Sequence, residues 1–125
     1  MAVQLRRVTL AIVGTMLLAG CTNATDGVVC TAVLVSGIVV EVRDSVSGAD
    51  LAGVRGAVRD AAYVDSLRGS AGGTTFAAAG ERAGTYTVEV VRPGYRTFTR
   101  AGVVVTRDAC HVRTQHVRAA LAPST

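Results

Sequence analysis

The residues able to do chemistry in this chain are few and scattered. His111 and His116 are its two histidines and stand in a near repeat, His111-Val112-Arg113 and His116-Val117-Arg118. A separation of five puts them on opposite faces of a regular strand, so shared metal ligation would need a bulge and ligands from elsewhere. Surface positions are the plainer reading. Asp60, Asp65 and Glu81 show no spacing that would fix the distance between two carboxylates, as acid–base chemistry requires. They read as exposed loop acids. Ser66 and Ser70 lack the Gly-x-Ser-x-Gly turn that exposes a nucleophile. The glycines between Gly69 and Gly84 precede no helical pattern, so they form no phosphate-binding fingerprint. Cys30 and Cys110 are too far apart to show the paired spacing of a zinc site. The expectation is therefore no catalytic residue, no metal site and no cofactor.

The third cysteine, Cys21, ends the stretch Leu18-Ala19-Gly20-Cys21. Arg6-Arg7 precede an apolar run from Val8 to Ala19. A basic start, an apolar middle and a small-residue cleavage site make a secretory signal peptide over residues 1–20. The run is shorter than the roughly 20 residues a membrane-spanning helix needs. Val8-Thr9-Leu10 after the arginine pair match twin-arginine export poorly, which favours the ordinary secretion route. Leu-Ala-Gly-Cys resembles the bacterial lipobox. That resemblance implies a lipoprotein in which Cys21 carries palmitate-type acyl chains and becomes the first mature residue. Two or more such chains anchor stably. The implied location is extracytoplasmic, on the bacterial cell membrane or outer membrane; Thr22 after the cysteine gives no inner-membrane retention signal. Export also permits disulfides, so Cys30 and Cys110 are read as bonded to each other, with two buried free thiols as the alternative.

Around these residues the sequence must build a scaffold. Cys21 and residues 22–32 read as a short tether. Beyond it the hydrophobic period is two. Ile38, Val40 and Val42 alternate with Val39, Glu41 and Arg43, and Val54 to Arg59 forms a second strand. Ala61 to Leu67 is a short third strand, and Thr74 to Ala77 a weak one inside a Gly-rich loop. Gly84 to Val91 is the clearest strand, with Tyr86, Val88 and Val90 on one face. Pro93-Gly94 ends it in a type II turn. Tyr95 to Arg100 and Val103 to Val105 follow. The last strand spans Cys110 to Leu121, with a bend between Val112 and Val117. Residues 122–125 read as a frayed C-terminus. Seven short strands with turns about every ten residues predict an all-β fold, a seven-stranded antiparallel β-sandwich over residues 33–121.

Loss of Arg6 and Arg7 with the signal lowers the formal charge from +4 to about +2. All basic residues are arginines, spread along the chain rather than gathered in a stripe, which argues against a nucleic-acid partner.

Gly37-Ile38-Val39-Val40-Glu41-Val42-Arg43-Asp44, Ser47-Gly48 and Leu51-Ala52-Gly53-Val54 resemble the opening of a carboxypeptidase regulatory-like domain. Gly84-Thr85-Tyr86-Thr87-Val88 and Arg92-Pro93-Gly94-Tyr95 resemble its middle. Asp50 stands where that family usually has proline. The resemblance implies a transthyretin-like (prealbumin-like) Greek-key sandwich with an accessory, interaction or structural role. A hydrolase of that fold carries an N-terminal histidine motif and ends Tyr-Arg-Gly-Ser; the last residues here are Leu121-Ala122-Pro123-Ser124-Thr125. The expectation is a monomeric, non-enzymatic envelope module, attached to membrane through the lipid on Cys21, with an envelope protein or a glycan as partner. Tyr63, Tyr95 and Arg96 are the candidate ligand surface. The alternatives are a carbohydrate-binding module for cell-wall glycan and a small hydrolase built on His111 and a carboxylate.

Overall fold

The computed structural model describes residues 27–125; the expected signal peptide and the lipidated Cys21 lie outside the described residues. Seven strands follow one another: β1 (Ser36–Asp44), β2 (Arg55–Asp60), β3 (Tyr63–Ser66), β4 (Thr75–Gly80), β5 (Gly84–Val91), β6 (Phe98–Val105) and β7 (Gln115–Leu121). No helix occurs among the described residues. The strands form a three-stranded sheet in the order β4-β1-β7 and a four-stranded sheet in the order β3-β2-β5-β6, packed as a β-sandwich.

Period-two patterning explains the core. Ile38, Val40 and Val42 of β1 face Tyr86, Val88 and Val90 of β5 through one continuous buried cluster. Val58, Phe76, Val117, Ala119 and Leu121 complete it. Both central strands alternate inward aliphatics with outward polar or half-buried residues, so a one-residue slip would turn the apolar set to solvent. Tyr86 is the largest fully buried side chain.

The sheets are not wholly antiparallel as expected. β1 and β7 pair in parallel, from Ile38 opposite Gln115 to Asp44 opposite Leu121. Parallel neighbours require a crossing connection rather than a hairpin, and here the intervening strands supply it. The last strand is also shorter than its sequence pattern. Cys110 to Thr114 lie in the connection before β7, where Arg107 bridges Val112. Val112 and Val117 are both buried because only Val117 belongs to the strand.

β6 is one strand rather than two. Gly102, at φ +70°, absorbs an irregularity in its pairing with β5 between Tyr86 and Val88. The weak Gly-rich strand is real and longer than its pattern: β4 buries Phe76, Ala78 and Ala79 against β1. The C-terminus is not frayed. Ala122 accepts a hydrogen bond from the Arg96 amide at 2.8 Å, and the Ser124 amide donates to Gly94 at 2.9 Å.

Cys30 and Cys110 form the expected disulfide. It ties residues 27–32 to the β6–β7 connection, so the expected tether is fixed at Cys30 rather than free to residue 32. The bond spans 80 residues of sequence. Closing a loop of that size stabilises by about 4.5 kcal/mol on the chain-entropy account, an upper figure for most real bonds. Cys30→Ser and Cys110→Ser should lower the thermal midpoint by the same amount, since each removes one shared bond. Circular-dichroism melts of the two variants check this; unequal midpoints would contradict it.

Candidate functional site

The strands run between two ends of the sandwich, and the chemistry-bearing residues sort to one end or the other. β1 and β7 both begin at the disulfide end. β5 begins there too, and its Gly84 pairs with Val105. At the far end, Val91 of β5 pairs with Arg55 of β2. β1 spans nine residues, so the two ends lie about 30 Å apart.

At the disulfide end, the bond brings the residues that follow each cysteine together. The Nε2 atom of His111 lies 3.2 Å from the Thr31 hydroxyl, and its Nδ1 lies 2.7 Å from Glu81 Oε1. With the proton on Nδ1, the ring donates to Glu81 and accepts from Thr31. Glu81 takes φ +51°, a left-handed conformation uncommon outside glycine. Its amide donates to Val35 O at 2.8 Å, and Val35 N–H donates back to Oε1 at 2.8 Å. Oε2 is buried without a partner. The Val35 amide first, and His111 second, hold the Glu81 carboxyl below its ordinary range. A carboxylate–imidazole–hydroxyl chain of this kind can draw a proton from the hydroxyl.

Beside it, Arg82 is fully engaged. Its guanidinium lies 3.9 Å from the Tyr63 ring centre and donates from Nη1 to Asp60 and to the Tyr86 hydroxyl, both at 2.9 Å. The Tyr86 hydroxyl donates to the Arg82 carbonyl at 2.8 Å. This arrangement closes the core at that end. The Tyr86 and then the Asp60 contacts favour the charged guanidinium.

At the far end, the Arg92-Pro93-Gly94-Tyr95 corner frames a groove of about 440 Å³. Tyr95 N–H donates to Arg92 O at 3.1 Å, and Gly94 takes φ +82°, as a type II turn requires. Arg55 and Arg92 line the groove with Val91, Pro93, Tyr95 and Thr97. The Arg92 guanidinium lies 5.0 Å from the centre of the Tyr95 ring. The Tyr95 hydroxyl donates to Asp44 Oδ2 at 2.8 Å, while the amides of Val46 and Ser47 donate to Asp44 Oδ1. The Ser47 amide first, then Tyr95, hold the Asp44 carboxyl below its ordinary range. The same bond, with burial second, raises the Tyr95 hydroxyl above its own.

The three residues expected to form one ligand surface are therefore divided. Tyr63 stands at the disulfide end under Arg82, half-buried and committed to packing. Tyr95 lines the groove at the other end. Arg96 is exposed next to it but lies outside the groove lining, its backbone held by Ala122. Asp60, Asp65 and Glu81 are not free loop acids. Asp60 and Asp65 accept from Arg82 and Arg68, Asp65 also accepts from the Ala79 amide, and all three are half-buried. His111 and His116 do not converge, since His116 is exposed on β7 opposite Val39. Among the described residues no group of three or more His, Cys, Asp or Glu side chains is placed to hold a metal ion. Sequence reasoning missed Arg55, Arg92, Asp44 and Thr31. Arg92 was legible as the first residue of the Pro-Gly corner, and Asp44 as a turn-forming residue ahead of Ser47-Gly48; Arg55 and Thr31 carry no local signal.

No protein-family model matches this chain, and no curated protein matches it in sequence.

Asp44, Glu81 and Asp108 all have carboxyls lowered by hydrogen bonds made in the folded state. A lowered folded value contributes stability that is complete above the unfolded carboxylate range, near pH 4, and is lost as pH falls through the folded values. Urea midpoints should stay level from pH 7 to about pH 5 and fall below it, and Asp44→Asn should flatten that fall. Tyr86→Phe should cost about 1 kcal/mol in urea titration, the net value of a hydrogen-bonded hydroxyl.

Proposed function

We propose that this chain is a non-catalytic, lipid-anchored module of the bacterial cell envelope that binds another envelope component through the groove at Tyr95. The observation that carries the reading is polarity. The segment leading back toward Cys21 is fixed at the disulfide end, and the groove opens at the other. A domain held through Cys21 would present the groove away from the lipid surface. The lipobox-like Leu18-Ala19-Gly20-Cys21 supports the anchor. The order of motifs from Gly37 to Tyr95 supports kinship with carboxypeptidase regulatory-like, transthyretin-like domains, whose role is accessory.

Two experiments test this reading. Metabolic labelling with palmitate should mark the protein, and Cys21→Ser should abolish both the label and membrane sedimentation. A photo-crosslinking amino acid at Thr97, in the groove, should capture a discrete envelope component in cells, whereas the same probe at exposed Arg113 should not. Loss of membrane association without loss of Cys21, or equal capture at both positions, would count against it.

A second reading, a small hydrolase, rests on the Glu81–His111–Thr31 chain. A fluorophosphonate probe should then label Thr31, and His111→Ala should abolish labelling. An unlabelled protein would leave that chain as a structural clasp.

A further inference from the structure

We propose that the groove at the β5–β6 corner takes an anionic saccharide, a sugar chain bearing carboxylate or phosphate groups. This rests on the groove being the binding end, as read above, and names its ligand class.

Charge comes first. Arg55 and Arg92 line the groove, and no acidic side chain does. Neither guanidinium takes part in an ion pair among the described residues, unlike Arg43, Arg68, Arg82 and Arg118. The nearby carboxylate, Asp44, is already occupied by two backbone amides and the Tyr95 hydroxyl. Two guanidinium forks without a carboxylate partner among the described residues therefore line the groove, and such forks match the paired oxygens of carboxylate and phosphate.

Shape comes second. Tyr95 supplies the aromatic ring of the lining, and its hydroxyl is fixed to Asp44, so the ring is held in place before any ligand arrives. The chain around it is fixed as well. Tyr95 bridges Pro123, and the C-terminal residues hydrogen-bond Gly94 and Arg96. A ligand meets a preorganised platform and loses little affinity to ordering it. A lining in which one guanidinium lies 5.0 Å from the centre of an aromatic ring, with a second guanidinium residue in the same groove, suits a sugar ring that carries its anion at the edge. The volume falls within the range of small-ligand sites. The groove lacks the deep apolar pocket that an anchoring side chain of a protein partner fills. Its apolar lining is limited to Val91, Pro93 and the Tyr95 ring.

The test is calorimetric titration of the full-length protein purified from its producing cells. The probes are trigalacturonate for carboxylate, mannose 6-phosphate for phosphate, neutral maltotriose, and sodium phosphate alone. At least one of the two anionic sugars should bind at least tenfold more tightly than maltotriose, and raised salt should weaken it. Arg55→Ala and Arg92→Ala should each cost about tenfold, and Tyr95→Ala more. Arg92→Lys, which keeps the charge but not the fork, should recover part of the loss. Circular dichroism establishes that each variant is folded, and Arg113→Ala, remote from the groove, should bind as the parent does. Three results would overturn the proposal: maltotriose binding as tightly as the anionic sugars, sodium phosphate matching them without a sugar, or an acidic peptide outcompeting them. Absence of binding by both anionic sugars would also overturn it, while capture at Thr97 in cells would still stand as evidence for another partner.

Discussion

The parallel pairing of β1 with β7 is the constraint on which the rest of this sandwich depends. It joins the first strand to the last and makes β1 the centre of its sheet, flanked by β4 on one side and β7 on the other. A strand with both edges paired has no free backbone groups along its ladder, so it tolerates full burial. Ile38, Val40 and Val42 accordingly sit at the heart of the core. Because the two strands are parallel, both begin at one end and both finish at the other. The disulfide between Cys30 and Cys110 reinforces this arrangement, linking the segments that lead into the two strands.

The core that results is built from small parts. Val and Ala supply most of its buried residues, with Tyr86 as the one large fully buried ring. Within the three-stranded sheet a glycine is needed at Gly37, where β1 runs against the backbone of its neighbour β4. A side chain on Gly37 would meet the carbonyl oxygen of Ala79 at 2.7 Å. Tyr86 brings a hydroxyl to the edge of that core, and a buried hydroxyl must be paired. Arg82 meets that need and is itself held by Asp60 and the face of Tyr63. The left-handed conformations of Ala79 and Glu81 let the short β4–β5 connection place Arg82 there, at a conformational cost offset by these contacts.

The same topology separates two sets of polar residues. One end gathers the disulfide, Glu81, His111, Thr31 and the Arg82 cluster, where nearly every charge has a partner. The other gathers Arg55, Arg92 and Tyr95 around a groove whose cations have no carboxylate partner among the described residues. Satisfied charges stabilise structure and unsatisfied ones remain free for a ligand, so the distribution of partners distinguishes the two ends more sharply than their residue composition does.

The sequence by itself determined the strands with strong alternation. β1, β2 and β5 follow directly from period-two patterning, because burial of one sheet face admits no other register. The Pro93-Gly94 corner was also legible, since Gly94 takes the positive φ that its turn demands. The cysteine pair was legible from its number and expected compartment. Only the tertiary structure decided the rest. Strand direction is a property of partners, so nothing local could mark β7 as parallel to β1. The Gly-rich pattern around β4 marked only a weak strand over its first residues and not its full length to Gly80, because its stability comes from pairing with β1 rather than from its own residues. The division of Tyr63 from Tyr95, and the meeting of Glu81 with His111 and of Arg55 with Arg92, arise from contacts between residues distant in sequence. Local patterning sets which face a side chain takes, and the pairing of strands sets which end of the sandwich it reaches.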